Sequence, residues 1–340
     1  MQDLALRQRA LGALAGVAVG DAMGMPTQTL STDDIARLYG PIQGFRDASP
    51  DQPVSAGLKA GTITDDTEQS LLLARHLIAR GGRMDQQAWA DELLAWERET
   101  HARGVNDLLG PSTKRAIAAL QAGVPANEAG RSGTTNGAAM RIVPVAIATP
   151  SAPLSSLVDA VEDSCRLTHA TSEAIGAASA VAAAVSAGIE GAGRAEVLKF
   201  ALAAAAEGER RGEPPVNGSI SARIAEALAL AEGRRGRDAA LAIAQQVGNS
   251  VSALQSVPMA FAILKLADAD PWAAALFSAV IGDDTDTIGA IACGMAGAIS
   301  GISAIPPAMW KLVQDVNSLD IEPVVSGLLA IRAARSGGAA

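Results

Sequence analysis

Apolar residues recur at i, i+3, i+4 and i+7 through most of the chain, the spacing that lines one face of an α-helix. It predicts helices over Asp66–Arg80, Met84–His101, Leu154–Leu167, Glu173–Ile189, Ala195–Ala206, Ile220–Ala231, Val251–Ala267, Pro271–Ile281 and Thr287–Ile302. Breakers fall between them: Gly81-Gly82, Ala148–Pro153, the polar stretch Glu207–Gly218 with Pro214-Pro215, and Gly233–Arg237. Period-two alternation is scarce and nowhere bracketed by hairpin turns. The pattern therefore reads as all-α, a compact orthogonal bundle of many helices. Gly44–Gly61 is the one long stretch without periodicity, and it suits a lid as well as a plain surface excursion. Ser336–Ala340 reads as a frayed tail.

Composition sharpens this picture. Of 340 residues 49% are hydrophobic and only 3% aromatic, so the core is built from small aliphatic side chains that let helices pack closely. The 34 glycines mostly lie among apolar residues, where they fit close helix crossings or ligand loops. A net charge of −9 argues against a nucleic-acid partner. Two cysteines, Cys165 and Cys293, make neither a disulfide framework nor a zinc cage, and a reduced, cytoplasmic setting follows as the expectation. Leu11–Val19 resembles the core of a signal peptide, but it runs straight into Gly20-Asp21, a pair with a role in the site. Ile288–Trp310 carries no charge and is long enough for a bilayer, yet Pro306-Pro307 breaks it, as befits a buried helix and a turn. No membrane partner is expected.

Chemistry concentrates in two acidic runs, Thr64-Asp65-Asp66-Thr67 and Asp283-Asp284-Thr285-Asp286-Thr287, each opening an apolar helical segment. Taken singly, each reads as a helix cap, with Thr64, Asp65 or Asp286 accepting free backbone N–H groups. Taken together they gather Asp65, Asp66, Asp284 and Asp286, about four negative charges that balance two divalent cations with hard oxygen ligands. An EF-hand is excluded by the missing Gly and closing Glu. Because the runs lie near opposite ends of the chain, one shared site requires one domain, residues 1–335, followed by the tail 336–340. A third element, Gly133–Arg141, leads small residues and hydroxyls into an apolar segment, where backbone N–H groups suit phosphate oxygens. His169, one of three histidines, lies between helices; Asp107 is a weaker acidic candidate.

The combination resembles the ADP-ribosylglycohydrolase family, in its short single-domain form. The matching blocks are Gly-Ala-Leu-Ala-Gly-Val-Ala-Val-Gly-Asp-Ala-Met-Gly (12–24), Thr-Asp-Asp-Thr (64–67), Asn-Gly-Ala-Ala-Met-Arg (136–141), Thr-His (168–169) and Gly-Asp-Asp-Thr-Asp-Thr-Ile-Gly-Ala (282–290). They follow one another in the family's order over residues 10–320. The resemblance implies a helical bundle around a binuclear Mg²⁺ or Mn²⁺ centre, with Thr64, Asp65, Asp66, Asp284, Asp286 and Thr287 as metal ligands. It implies that Asn136 and Gly137 hold the ligand, with Arg141 and His169 binding it or bracing the loop, and that Asp21 supports the acids. Family members usually carry a Glu seven residues after that aspartate; here the position is Gln28, which can contact substrate but cannot act as a base.

The implied reaction is metal-dependent hydrolysis of a ribosidic bond through an oxocarbenium-like transition state, with Asp65, Asp66 and Asp284 as the catalytic acids. The substrate is an ADP-ribosyl-arginine on protein or a small ADP-ribosyl conjugate, and a small nucleoside-like riboside is the alternative. Two other readings stand beside it. A non-catalytic binder of ADP-ribose is compatible with Gln28. A helical isoprenoid synthase would need a final acid that Asp65-Asp66-Thr67-Glu68-Gln69 lacks.

Overall fold

The computed structural model describes residues 2–102, 110–214 and 217–337. The first helices are α1 (Gln2–Gly24), α2 (Thr32–Tyr39), α3 (Asp65–Ala79), α4 (Gln86–Ala102), α5 (Pro111–Gln121), α6 (Gly137–Met140), α7 (Val143–Ala148) and α8 (Leu154–Cys165). They continue as α9 (Ser172–Glu190), α10 (Arg194–Glu209), α11 (Ile220–Leu230), α12 (Gly236–Val247), α13 (Ala253–Leu266), α14 (Pro271–Ser278), α15 (Thr285–Ser300), α16 (Pro307–Asn317) and α17 (Glu322–Gly337). Among the described residues no strand forms. Two isolated bridges pair Thr135 with Ser252 and Thr171 with Glu213.

All nine helices expected from periodicity are present, their ends shifted by three residues or fewer. Gly81 and Gly82 terminate α3 at φ +60° and +86°, a region glycine enters without a Cβ penalty. Helix α10 runs on to Glu209 into the expected polar loop, and α12, which is not among the expected helices, begins at Gly236 inside the expected connection Gly233–Arg237. Helix α17 also carries Ser336 and Gly337. The uncharged stretch Ile288–Trp310 is not one helix. It breaks at Gly301 (φ +79°) and resumes as α16. Among the described residues the helix long and apolar enough to cross a membrane is instead Ser172–Glu190, and all of its apolar window is buried inside the fold.

The main core is a connected set of mostly aliphatic buried side chains reaching from Ala10 in α1 to Ile331 in α17, with a small separate cluster of Trp96 and Ile117 beside it. Helix α9 is sheathed by α8 and α10 and touches α15. The closest approach is between α1 and α15, which run antiparallel. A Cβ on Gly12 would lie 2.4 Å from the Gly297 carbonyl oxygen, one on Gly16 2.2 Å from that of Cys293, and one on Gly20 2.1 Å from that of Gly289. One on Gly24 would lie 2.3 Å from the Asp286 nitrogen. Glycine every fourth residue puts the bare backbone of one face of α1 directly on α15. That contact carries the C-terminal end of α1, with Asp21, to the N-terminal end of α15, with Asp284 and Asp286.

Candidate active site

Helix α3 starts at this same place because Asp21 holds its first turn. Thr64 occupies the N-cap position, yet its side chain makes no cap bond. The fully buried Asp21 carboxylate instead accepts the backbone N–H groups of Thr64 (2.9 Å) and Thr67 (3.1 Å) and both hydroxyls, at 2.7 and 2.5 Å. A carboxylate borrowed from another helix thus satisfies orphan donors that a local cap would otherwise take. Burial pushes the Asp21 pKa up to about 6, with the bonds from Thr67 and Thr64 opposing. Asp21→Ala leaves two buried N–H groups without partners, at about 1–3 kcal/mol each. We expect a loss of roughly 3 kcal/mol in denaturant melts; unchanged stability would contradict this role.

Freed from capping, the neighbouring acids turn elsewhere. Asp65 is half-buried and faces a cavity of about 300 Å³, whereas Asp66 is wholly buried and its Oδ1 has no hydrogen-bond partner. At the other run, Asp284 stands at the N-cap position of α15 without capping it. Its Oδ2 accepts from Asn136 Nδ2, which also donates to Ser256 Oγ at 2.9 Å. Asp286 lies in the first turn and accepts the Thr287 N–H at 3.0 Å. Asp283, with φ +58°, is exposed and turned away, tied to the chain after α1 through Thr29 N–H to Asp283 O at 2.6 Å.

The cavity is lined by Asp65, Asp284, Asp286, Thr287, Asn136, Gly137 and Gln28, so seven sequence-singled residues meet there. Thr64 and Asp66 sit behind its wall. Arg141 and His169 are buried and do not line it. Arg141 donates to Gln69 Oε1 (2.8 Å) and Thr168 Oγ1 (2.6 Å), and Gln69 Nε2 in turn reaches Asp65 Oδ2 at 3.3 Å. Burial lowers the Arg141 pKa to about 10, which keeps it cationic at neutral pH. His169 bonds Thr135 (3.0 Å) and Thr168 (2.7 Å) and lies so close beneath Gly137 that a Cβ there would sit 3.0 Å from its ring. Burial, then Arg141 and Arg115, hold its pKa well below the usual value, so it is neutral. Both residues brace the loop that carries Asn136.

Sequence reasoning missed Thr113 and Lys114 in the first turn of α5, and Val54 and Val251, which also line the cavity, while Thr135 and Met140 come from the Gly133–Arg141 element already singled out. Val251 arrives by pairing: Asn136 N–H bonds its carbonyl at 2.9 Å, and Ala253 N–H bonds Thr134 O at 3.1 Å. Asp107 lies outside the described residues.

Electrostatics decide what the acids can do. Asp65, Asp66 and Asp286 have pKa values well above the ordinary range, first from burial and then from each other and from Asp21 and Asp284. Asp284 is pushed up to about 7, mainly by burial, with Asn136 and Thr287 opposing. Among the described residues no three Asp, Glu, His or Cys side chains form a ready-made metal cluster. The donor set nevertheless fits hard divalent cations: overlapping carboxylate fields, the hydroxyl residues Thr64 and Thr287 beside them, and an orphaned Asp66 oxygen.

A family model described as ADP-ribosylglycohydrolase matches residues 2–337. The uncharacterised protein YegU of Escherichia coli K12 is 33% identical, over 96% of this chain and 98% of its own length. The ADP-ribosyl-dinitrogen reductase glycohydrolase of Rhodospirillum rubrum is 34% identical over 50% of this chain and 54% of its own. A solved structure titled ADP-ribosylglycohydrolase-related protein complex superposes with a TM-score of 0.67 at 25% identity, covering 97% of this chain and 99% of that one.

Proposed function

We propose that this chain, which belongs to the ADP-ribosylglycohydrolase family, hydrolyses the bond between the terminal ribose of an ADP-ribosyl group and its aglycone at the cavity lined by the N-terminal ends of α3, α5 and α15. The observation that carries this reading is that Asp65 of the first acid run and Asp284 and Asp286 of the second, far apart in sequence, meet with Asn136 at one cavity, with Asp66 behind its wall. In this reading Thr64, Asp65, Asp66, Asp284, Asp286 and Thr287 hold two divalent ions, Mg²⁺ or Mn²⁺. When bound, the ions would neutralise the acids and supply Lewis-acid activation of ribose hydroxyls and water.

The chain's own residues provide the rest. Asp65 is the acid that both faces the cavity and is oriented from behind, by Gln69 and Arg141, so it takes the proton of the attacking water. Asn136 fixes the direction of the Asp284 carboxylate. Asp66 and Thr64 act from the wall. Asn136, Gly137 and Gln28 contact the substrate directly; Arg141 and His169 act through the loop.

The substrate we propose is an ADP-ribosyl-arginine on protein or a small ADP-ribosyl conjugate. A second reading, a nucleoside-like riboside, is favoured by the cavity volume, which sits at the lower end of the roughly 300–1,000 Å³ usual for ligand sites. The deciding experiment incubates the protein and Mg²⁺ or Mn²⁺ with ADP-ribosyl-arginine peptide, free ADP-ribosyl conjugates and nucleosides. We expect release of ADP-ribose that stops with chelator and returns with metal. Release of free base from nucleosides alone would transfer the activity to the second reading.

A further inference from the structure

Asn249, half-buried in the connection between α12 and α13, spends its side chain on the acid run that opens α15. Its Nδ2 donates to the carbonyls of Ile281 (2.8 Å) and Gly282 (2.6 Å), and its own carbonyl accepts the Asp284 N–H at 3.1 Å. The two hydrogens of the amide thus match two carbonyls. The stretch they hold is strained. Gly282 and Asp283 stand in succession at φ +82° and +58°, and only the first is a glycine. A residue with a Cβ stays there only if bonds from outside hold it. The segment after α1 supplies the opposite side, with Thr29 N–H to Asp283 O at 2.6 Å and Asp283 N–H to Leu30 O at 2.9 Å.

This bend decides which acid serves the site. Asp283 and Asp284 are neighbours with the same side chain, yet Asp283 is exposed and turned away while Asp284 lines the cavity. A slip of one residue would exchange them, so the choice lies in the backbone that Asn249 grips. The grip has a firm base. Gly248 ends α12 at φ +85°, where a Cβ would lie 2.5 Å from Gln255 Cδ, and Gln255 Oε1 accepts the N–H (3.3 Å) and hydroxyl (2.7 Å) of Ser250. The same short connection takes the Asn136 N–H on the Val251 carbonyl. It therefore ties the acid run to the loop of Asn136, while Asn249 itself stays outside the cavity lining.

We propose that Asn249 is a positioning residue for Asp284: it fixes the phase of the bend that presents Asp284 rather than Asp283 to the cavity, and with it the affinity of the site for a divalent cation. This rests on the proposed metal reading, and the test separates the two.

Binding of Mn²⁺ to chelator-stripped protein is measured by calorimetry and by loss of the free-ion EPR signal, at a temperature where melting curves show every variant folded. We expect Asn249→Ala to bind Mn²⁺ about ten- to a hundredfold more weakly than wild type. Ser186→Ala is the comparison for general loosening, because it removes a buried hydroxyl bonded to Thr149 O and Arg332 outside the site. It should melt lower with its Mn²⁺ affinity unchanged, which is the pattern a merely structural role would give Asn249. Asp283→Asn should keep the wild-type affinity and Asp284→Asn should lose it. Should Asn249→Ala fail to fold, Asn249→Ser, which keeps one shorter donor, should show the same loss in smaller measure. Unchanged Mn²⁺ affinity in folded Asn249→Ala or Asn249→Ser overturns the positioning role, and equal losses for Asp283→Asn and Asp284→Asn overturn the phase of the bend. If wild type binds no Mn²⁺, it is the metal reading that fails.

Discussion

Alanine at Gly20 is expected to cost most of the protein's stability. Its methyl group would sit 2.1 Å from the Gly289 carbonyl oxygen, 2.3 Å from that carbonyl carbon and 2.7 Å from Ala290 N. All three are backbone atoms inside α15, so no rotamer change relieves the clash. The helices must part instead. Parting them undoes the same contact at Gly12, Gly16 and Gly24, and it pulls Asp21 away from the first turn of α3. A backbone collision of this kind belongs among the exceptional substitutions, costing about 4 kcal/mol or more. Gly44→Ala is the matched control, because a Cβ there meets nothing within 4 Å and the residue is not in the left-handed region. It should change stability by less than about 0.5 kcal/mol. Urea melts of the two variants check this, and equal midpoints would refute the close-crossing account.

Asp284→Asn should abolish turnover while raising the stability of the metal-free protein. The catalytic loss follows if Asp284 holds an ion that activates water and ribose, a contribution of several kcal/mol and so about a thousandfold in rate. The gain follows from charge. The folded-state pKa of Asp284, about 7 against 3.8 for the free side chain, marks a carboxylate that burial disfavours when ionised. Such a group contributes stability below pH 3.8 that drains away as the pH rises toward 7. Chelated wild type should therefore melt lower at pH 7.5 than chelated Asp284→Asn, and the gap should narrow as pH falls. Added Mn²⁺ should stabilise wild type more than the variant. A variant that keeps its rate, or that melts lower than chelated wild type at pH 7.5, would count against this assignment.

The sequence showed a good deal of this, for reasons that can be named. Helices such as α3 and α8 have one buried and one exposed side, and that asymmetry is what periodicity detects. Helix α1 went unassigned because its residues from Ala10 to Gly24 are buried all round and leave no polar face to set a phase. Helices α2 and α5 are short, so pattern gave way to local start signals, the Ser31 cap of α2 and Pro111 at the first position of α5. The acids were legible because adjacent carboxylates are costly anywhere and conspicuous beside apolar helices. Their freedom from capping was not, since it depends on Asp21 reaching across 43 residues. Likewise Arg141 and His169 were visible as candidates, but only the packing shows that they press on the loop from behind. Thr113, Lys114, Val54 and Val251 reach the cavity through tertiary closure alone, and nothing local marks them.

The glycine-paved contact between α1 and α15 also sets when the site comes into being. One of its faces, α1, precedes the other, α15, by most of the described chain, so the acids of α15 are made long after Asp65 and Asp66. Until then the glycine face of α1 lacks its α15 partner, and Asp65 and Asp66 stand without Asp284 and Asp286. A nascent or truncated chain that stops short of α15 thus lacks two of the three acids that line the cavity. The site is thus completed late in synthesis, and the glycine face is the stretch left uncovered in the interval.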